Sequence, residues 1–203
     1  MPEIAWHLAD AVNFDRIVRE GLKCAADLLD RDAVACGTHR PTAVMTRHGS
    51  YIRDQAPMPP AALARCLDRP LTPADWYRLL NGFVFFWLDP ERLRRHLVAT
   101  RGRPQRLMSI DTAGLVAHYG DALGVTPFNT GNARRRPARR GRRSIVPVQR
   151  WQTEAWRSEC EPGGRPRAPS HRPVELVASV SIPDIMNFCT AVETINRGAS
   201  RGG

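Results

Sequence analysis

Lysine is almost missing from this sequence: Lys23 is the only one in 203 residues, so the formal net charge of +10 rests on arginine. Arginine offers a planar fork that grips phosphate and stacks on bases, so an anionic partner is expected, nucleic acid foremost. A GC-rich genome enriches arginine as well, and composition by itself identifies no site. No apolar run approaches the roughly 20 residues of a membrane-spanning helix, which excludes that class and a membrane partner. The opening Met1-Pro2-Glu3-Ile4-Ala5-Trp6-His7 lacks the basic head and apolar stretch of an export signal, and a cytoplasmic location is expected. The five cysteines form no CxxC pair and no Cys/His cluster at zinc-finger spacing, so reduced, partly buried thiols are expected, with neither disulfides nor a metal site. A P-loop, a dinucleotide glycine fingerprint, a G-x-S-x-G elbow and an HExxH helix are all missing, which removes the commonest nucleotide-hydrolysing, dehydrogenase, serine-hydrolase and zinc-protease readings. There is no internal repeat.

What is present is an apolar content of 42%, enough for a globular core. The length suits one domain, read as residues 1–196 followed by a disordered tail over 197–203. Residues 4–8 read as a strand, and Phe14, Ile17, Val18 and Leu22 form one helical face that Gly21-Leu22 closes. Further helical turns are expected over 24–31 and a long surface loop over 36–58. Pro59-Pro60 opens a helix, and Thr72 caps another with Pro73 in its first turn and Gly82 at its end. The run Phe83-Val84-Phe85-Phe86-Trp87-Leu88 reads as a buried central strand. Asp89-Pro90 starts a helix with Leu93, Leu97 and Val98 inward, residues 106–110 form a strand, and Asp111-Thr112 starts a helix toward Gly120. Residues 124–143 read as irregular, with an arginine-rich loop at 131–143. A strand over 144–148, a mobile loop over 153–173 and a strand over 174–180 follow. Ile182-Pro183-Asp184 then begins a helix with Ile185, Phe188, Val192 and Ile195 on its inner side. The irregular connections predict an α+β fold, with a mixed or antiparallel sheet flanked by helices.

The polar residues at strand ends are the candidates for chemistry: His7, Asn13, Arg53, Asn129-Thr130-Gly131-Asn132 and Glu175. Glu175 interrupts an apolar strand, where a charge either faces solvent or is retained for work. His7 beside an apolar strand is either a hydrogen-bonded core residue or a ligand contact, and Arg53 either a surface arginine or an anion clamp. Arg134, Arg135, Arg136, Arg139, Arg140, Arg142 and Arg143 form a cationic patch without interleaved aromatics, suited to non-specific phosphate contact if it is more than a solvated loop.

His7, Asn13, Ile17 and Gly21-Leu22 follow the pattern H-x5-N-x3-I-x3-G-L, which resembles the first strand and helix of DarT-type ADP-ribosyltransferases, toxins that modify DNA. Tyr51-Ile52-Arg53-Asp54-Gln55 is similar to the segment holding that family's arginine, and residues 83–88 resemble its aromatic central strand. Arg172-Pro173-Val174-Glu175-Leu176-Val177, followed by Ile182-Pro183-Asp184-Ile185, is similar to its late glutamate strand. Two departures indicate a distinct subfamily. Asp54-Gln55 stand where adjacent basic residues are usual, and Asp89-Pro90-Glu91-Arg92-Leu93 replaces an R-S-P-M-type segment.

The resemblance implies an ADP-ribosyltransferase-like split sheet and NAD as co-substrate, with no metal. It implies Glu175 and Arg53 as catalytic residues, and His7, Leu8, Asn13, Gly21 and Phe86 around the cofactor. Asn129, Asn132 and the arginine patch would then meet nucleic acid, with a DNA base as the favoured acceptor and RNA next. A bacterial toxin or defence effector is implied, partnered by an antitoxin or an ADP-ribosyl hydrolase. Two alternatives stay open: a related-fold transferase acting on a tRNA 2′-phosphate, a protein or a small molecule, and a non-catalytic nucleic-acid-binding domain.

Overall fold

Alternating side chains make residues 4–8 extended, and the strand continues further than the pattern predicts, as β1 (Ile4–Asp10). In this computed structural model, which describes residues 1–40, 42–54, 58–100, 102–131, 138–160 and 164–195, α1 (Phe14–Glu20) follows and buries Ile17. Val18, expected on the same inner face, is exposed. Gly21 ends the helix at φ 79°, and its absent side chain lets Leu22 bridge Ile182. Next come α2 (Ala25–Asp30) and a small hairpin of β2 (Val44–Met45) and β3 (Tyr51–Ile52), which gives structure to the predicted loop. The helices α3 (Pro60–Cys66) and α4 (Pro73–Asn81) stand where the proline signals place them. Thr72 and Asp75 cap α4 reciprocally, each side chain taking the other's backbone N–H.

The aromatic run forms β4 (Val84–Trp87), and Asp89 caps α5 (Pro90–Thr100), which buries Leu93 but leaves Val98 exposed. Then come β5 (Gln105–Asp111), α6 (Thr112–Tyr119) and β6 (Leu123–Thr126). The strand β6 lies where an irregular segment is expected. Residues 144–148 divide into β7 (Val146–Pro147) and the first turn of α7 (Val148–Glu154). Within the segment expected to be a mobile loop, Trp156 is fully buried. Its indole N–H donates to the His171 carbonyl (2.7 Å), and His171 in turn donates to the Pro127 carbonyl (2.9 Å). After β8 (Glu175–Ala178) the expected C-terminal helix is a single tight turn over Ile185–Phe188 and then β9 (Cys189–Ile195), whose Val192 is exposed. Residues 197–203, expected to form a frayed tail, lie outside the described residues.

Among the described residues, one sheet runs in the order β7-β6-β8-β4-β1-β5-β9, with every pairing antiparallel. The fold is thus α+β on an antiparallel sheet, with β4 at the centre as its unbroken apolar run predicts. One face packs Ala5, Val84, Phe86, Met108 and Leu176 against Ile17, Leu115, Val148 and Trp156 from the helices. The other packs Trp87, Leu107 and Val174 against Leu93 of α5. Each large apolar side chain buried this way contributes roughly 1.5–3 kcal/mol. A satellite cluster of Leu63, Cys66 and Trp76 holds α3 to α4. The five cysteines are free thiols, and no described helix is long and apolar enough to cross a membrane.

Gly21 has no room for a side chain, since a Cβ there would stand 2.2 Å from the Ile182 carbonyl oxygen. Gly21→Ala is expected to lower stability by on the order of 3 kcal/mol, combining overpacking with backbone strain. Gly102→Ala, also at positive φ but with open space around it, is expected to cost about 1 kcal/mol. Urea unfolding midpoints of the two variants check the difference.

Candidate functional site

The ladder between β1 and β4 holds one Cα pair, Trp6 with Trp87, whereas β1 and β5 stay in register from Ile4–Asp111 to Asp10–Gln105. Beyond Trp6 the two central strands part. A carbonyl left facing such a gap needs a donor. His7 supplies it, its Nδ1–H donating to the Phe85 carbonyl at 2.9 Å. A carbonyl only accepts, so the hydrogen is on Nδ1. Burial holds the imidazole pKa below its usual value, outweighing the opposing effect of that bond. Neutral His7 therefore keeps a lone pair on Nε2, an acceptor for a ligand hydroxyl.

A cavity of about 360 Å³ opens at this parting, a volume in the range of small-molecule sites. His7 and Leu8 of β1 line it, together with Phe83 just before β4 and Val84, Phe85 and Trp87 of β4. His96 packs on Trp87 with ring centroids 5.3 Å apart, and burial lowers its pKa too, so His7 and His96 are both neutral near pH 7. Phe86 is expected at the cofactor. It is 1% exposed in the core and is not a wall residue, although its ring neighbours that of His7 at 5.7 Å.

The remaining predicted wall residues do line the cavity, though with different tasks. The Asn13 side chain clamps the backbone of Tyr51, its Nδ2 donating to the Tyr51 carbonyl (2.7 Å) and its Oδ1 accepting from the Tyr51 N–H (2.8 Å). It therefore ties the β2–β3 hairpin to the sheet. Gly21 serves the close approach to Ile182 described above. Arg53 is exposed, donates to the Tyr51 hydroxyl (2.7 Å) and lies over that ring. The wall residue that sequence reasoning missed is Arg40, buried beside Asp54 and Asn81. Its partners are distant in sequence, and no local pattern marks it.

Glu175 is 2% exposed and stands behind the wall. Strand register places Trp6, Trp87, Glu175 and Thr126 in one row across the sheet, so the carboxylate strand lies two strands, roughly 10 Å, from β1. His7 and Glu175 thus flank β4, but only His7 reaches the cavity. Thr130 separates Glu175 from it, donating to the Glu175 Oε2 from its backbone N–H (3.1 Å) and its hydroxyl (3.0 Å) while itself lining the cavity with Gly131. Thr126 Oγ1 lies 3.0 Å from the same carboxyl oxygen and 2.8 Å from the Phe128 carbonyl. A hydroxyl has one hydrogen, and the Phe128 carbonyl can only accept it. The Thr126 oxygen then offers a lone pair toward Glu175, which suits a protonated carboxyl. Burial also raises the Glu175 pKa to about 7, against the opposing pull of its hydrogen bonds and of Arg140.

The arginine patch does not behave as one surface. Arg140 is buried, donates to the Thr130 carbonyl (2.8 Å) and lies over the Phe128 ring, so it supports the turn that bonds Glu175 and offers nothing to nucleic acid. Its side chain is enclosed because its backbone bridges Leu67. Arg142 and Arg143 are exposed, and Arg139 is exposed while paired with Asp68 at 3.1 Å. Asn129 turns its side-chain oxygen onto the Gly131 N–H (2.9 Å) and shapes the turn. Asn132, Arg134, Arg135 and Arg136 lie outside the described residues.

These features define an α+β protein whose antiparallel sheet parts at its centre to form a ligand-sized cavity. The chain belongs to DUF7002, a family of unknown function, whose family model matches residues 3–189 and so takes in β1, the cavity wall and β8. No curated protein matches the sequence.

The Glu175 environment has a consequence for stability. Its pKa is about 7 in the folded chain and 4.5 ordinarily, so the folded state holds the proton more tightly. The stabilisation from this group is complete below about pH 4.5, declines as pH rises to about 7 and stays lost above it. Glu175→Gln, which keeps the shape without ionising, is expected to remove that decline. The variant should gain on the order of 3 kcal/mol relative to the parent between pH 4.5 and pH 8, checked by urea denaturation across that range.

Proposed function

We propose that the cavity binds NAD and that the protein transfers ADP-ribose to nucleic acid, a DNA base in preference to RNA. The observation that carries this reading is the cavity at the parting of β1 and β4. It combines aromatic rings from β4, a neutral imidazole acceptor and a surplus of cationic side chains, the chemistry that a dinucleotide's rings, ribose hydroxyls and phosphates require. The resemblance of the His7, Arg53 and Glu175 segments to DarT-type enzymes supports it.

In this reading the nicotinamide–ribose bond breaks with its electron pair going to the nicotinamide nitrogen, and positive charge develops on the ribose. An acceptor lone pair on the base forms the new bond, and the acceptor's proton passes to a nearby base. An ionised carboxylate facing the ribose stabilises that charge. Glu175 is the candidate, and it meets the ribose when the Thr130–Gly131 turn gives way to the ligand. The pKa of about 7 makes the rate rise with pH through that value. Arg53 clamps a phosphate or orients the nicotinamide end, and exposed Arg142 and Arg143 approach the acceptor strand.

One observation favours a second reading. The Glu175 oxygen facing Thr130 is fully engaged and the residue is off the cavity wall, as in a nucleotide-binding module without transfer.

Incubation with NAD labelled in the adenylate moiety and separate DNA, RNA and protein pools distinguishes them. Label is expected in DNA, with a loss of at least 100-fold in Glu175→Gln. NAD that raises the melting temperature without labelling any pool supports the second reading. For DNA binding, Arg142→Ala/Arg143→Ala should lower the slope of log affinity against log salt by about 0.9 for each phosphate that the pair neutralises. An unchanged slope would place the nucleic-acid interface elsewhere.

A further inference from the structure

We propose that Arg40 is the phosphate-receiving side chain of the cavity, holding the pyrophosphate of a nucleotide ligand. The identity of that ligand rests on the nucleotide reading above; the anion site rests on Arg40 itself. Arg40 is 7% exposed and lies on the cavity wall. Its NH2 nitrogen is engaged twice, donating to the Asp54 carboxylate and to the Asn81 side-chain oxygen (2.7 Å). Its backbone N–H also donates to Asp54, at 2.6 Å. The Nε and NH1 nitrogens are buried and have no hydrogen-bond partner among the described residues. Buried donors are costly when left unpaired, and more so on a charged group. Asp54 offsets the charge but does not reach those nitrogens.

The surroundings fit an anion. Arg16, Lys23, Arg40 and Arg53 line the cavity, against Asp54 and Asp10, and Arg103 already bridges Asp10 at 3.5 Å. The guanidinium is also held in place, because Asn81 at the end of α4 donates in turn to the Cys36 carbonyl at 2.7 Å. A fixed guanidinium with unpaired N–H groups forms charge-assisted bonds to phosphate oxygens without first reorganising. The Tyr77 ring on the same wall adds an aromatic surface near this end. A phosphate attached to a ring-bearing group meets both chemistries.

The test is calorimetric titration of the purified full chain with ADP, inorganic pyrophosphate and adenosine. Removing Arg40 alone leaves the half-buried Asp54 without its cationic partner. Arg40→Gln/Asp54→Asn, which neutralises both partners while keeping hydrogen-bonding shape, is therefore measured beside Arg40→Gln, with a melting curve for each. The expected result is binding of ADP and pyrophosphate to the parent, at least tenfold weaker in the neutralised double variant, with adenosine affinity unchanged. Equal losses for ADP and adenosine, or undiminished ADP affinity, would overturn the proposal, as would a parent that binds neither ADP nor pyrophosphate. A protein that binds ADP through Arg40 yet transfers no label from NAD would leave the anion site standing and remove the transferase reading.

Discussion

The parting of β1 and β4 is the constraint on which the site depends. Antiparallel strands that stay paired leave no space at the centre of a sheet, and those that separate leave backbone groups without partners. Here separation follows a single pair, Trp6 with Trp87, and is made tolerable by the His7 bond to the Phe85 carbonyl. The same bond fixes the histidine tautomer, so a side chain that repairs the sheet becomes an acceptor on a cavity wall. Both halves of the sheet remain stiff around the gap. β1 is held along its whole length by β5, and β4 by β8 from Val84 to Trp87.

Behind that wall lies a buried carboxyl, and its energetics explain its neighbours. An isolated ionised glutamate at that depth would be costly, so the chain surrounds Glu175 with Thr126, both donors of Thr130 and, through the Thr130 carbonyl, Arg140. Desolvation still prevails over these partners, leaving the group poised near neutrality. A residue needed only for packing would be served at lower cost by glutamine or leucine. The turn that satisfies Glu175 is also cavity wall, which couples whatever occupies the cavity to the protonation of the carboxyl.

Much of this frame was legible in the sequence, for physical reasons. The aromatic run of β4, the proline-led helices and the Thr72 cap are local signals, and tertiary structure does not override them. The exceptions are informative. Ile185, Phe188, Val192 and Ile195 mimic a helical face, but Thr190, Val192 and Thr194 are β-branched, and pairing with β5 decides for β9. β6 was hidden by Gly124, which reads as a loop residue yet is required where Ile145 crosses, since a Cβ there would stand 2.7 Å from the Ile145 side chain. In the arginine-rich segment, composition could not separate Arg140, drawn inside by its backbone bridge, from exposed Arg142 and Arg143.

Candidate residues divide along the same line. His7 and Leu8 could be placed because they belong to a strand with a readable pattern, and Arg53 because its segment resembles one in DarT-type enzymes. Arg40 could not, because what distinguishes it from other arginines is enclosure by Asp54 and Asn81, which the chain brings together only when folded. The strands set the position of the gap, while α1 and the segment from α2 to just past β3 carry most of the charge that faces it. If the cavity takes an anion as proposed, the sheet can remain constant while substitutions around Arg40, Arg53 and Asp54 change which anion it accepts. In the proposed reading, preference for a ligand resides in the part of the wall with the weakest local signature, and chemistry at the ribose in the part that the sheet register fixes.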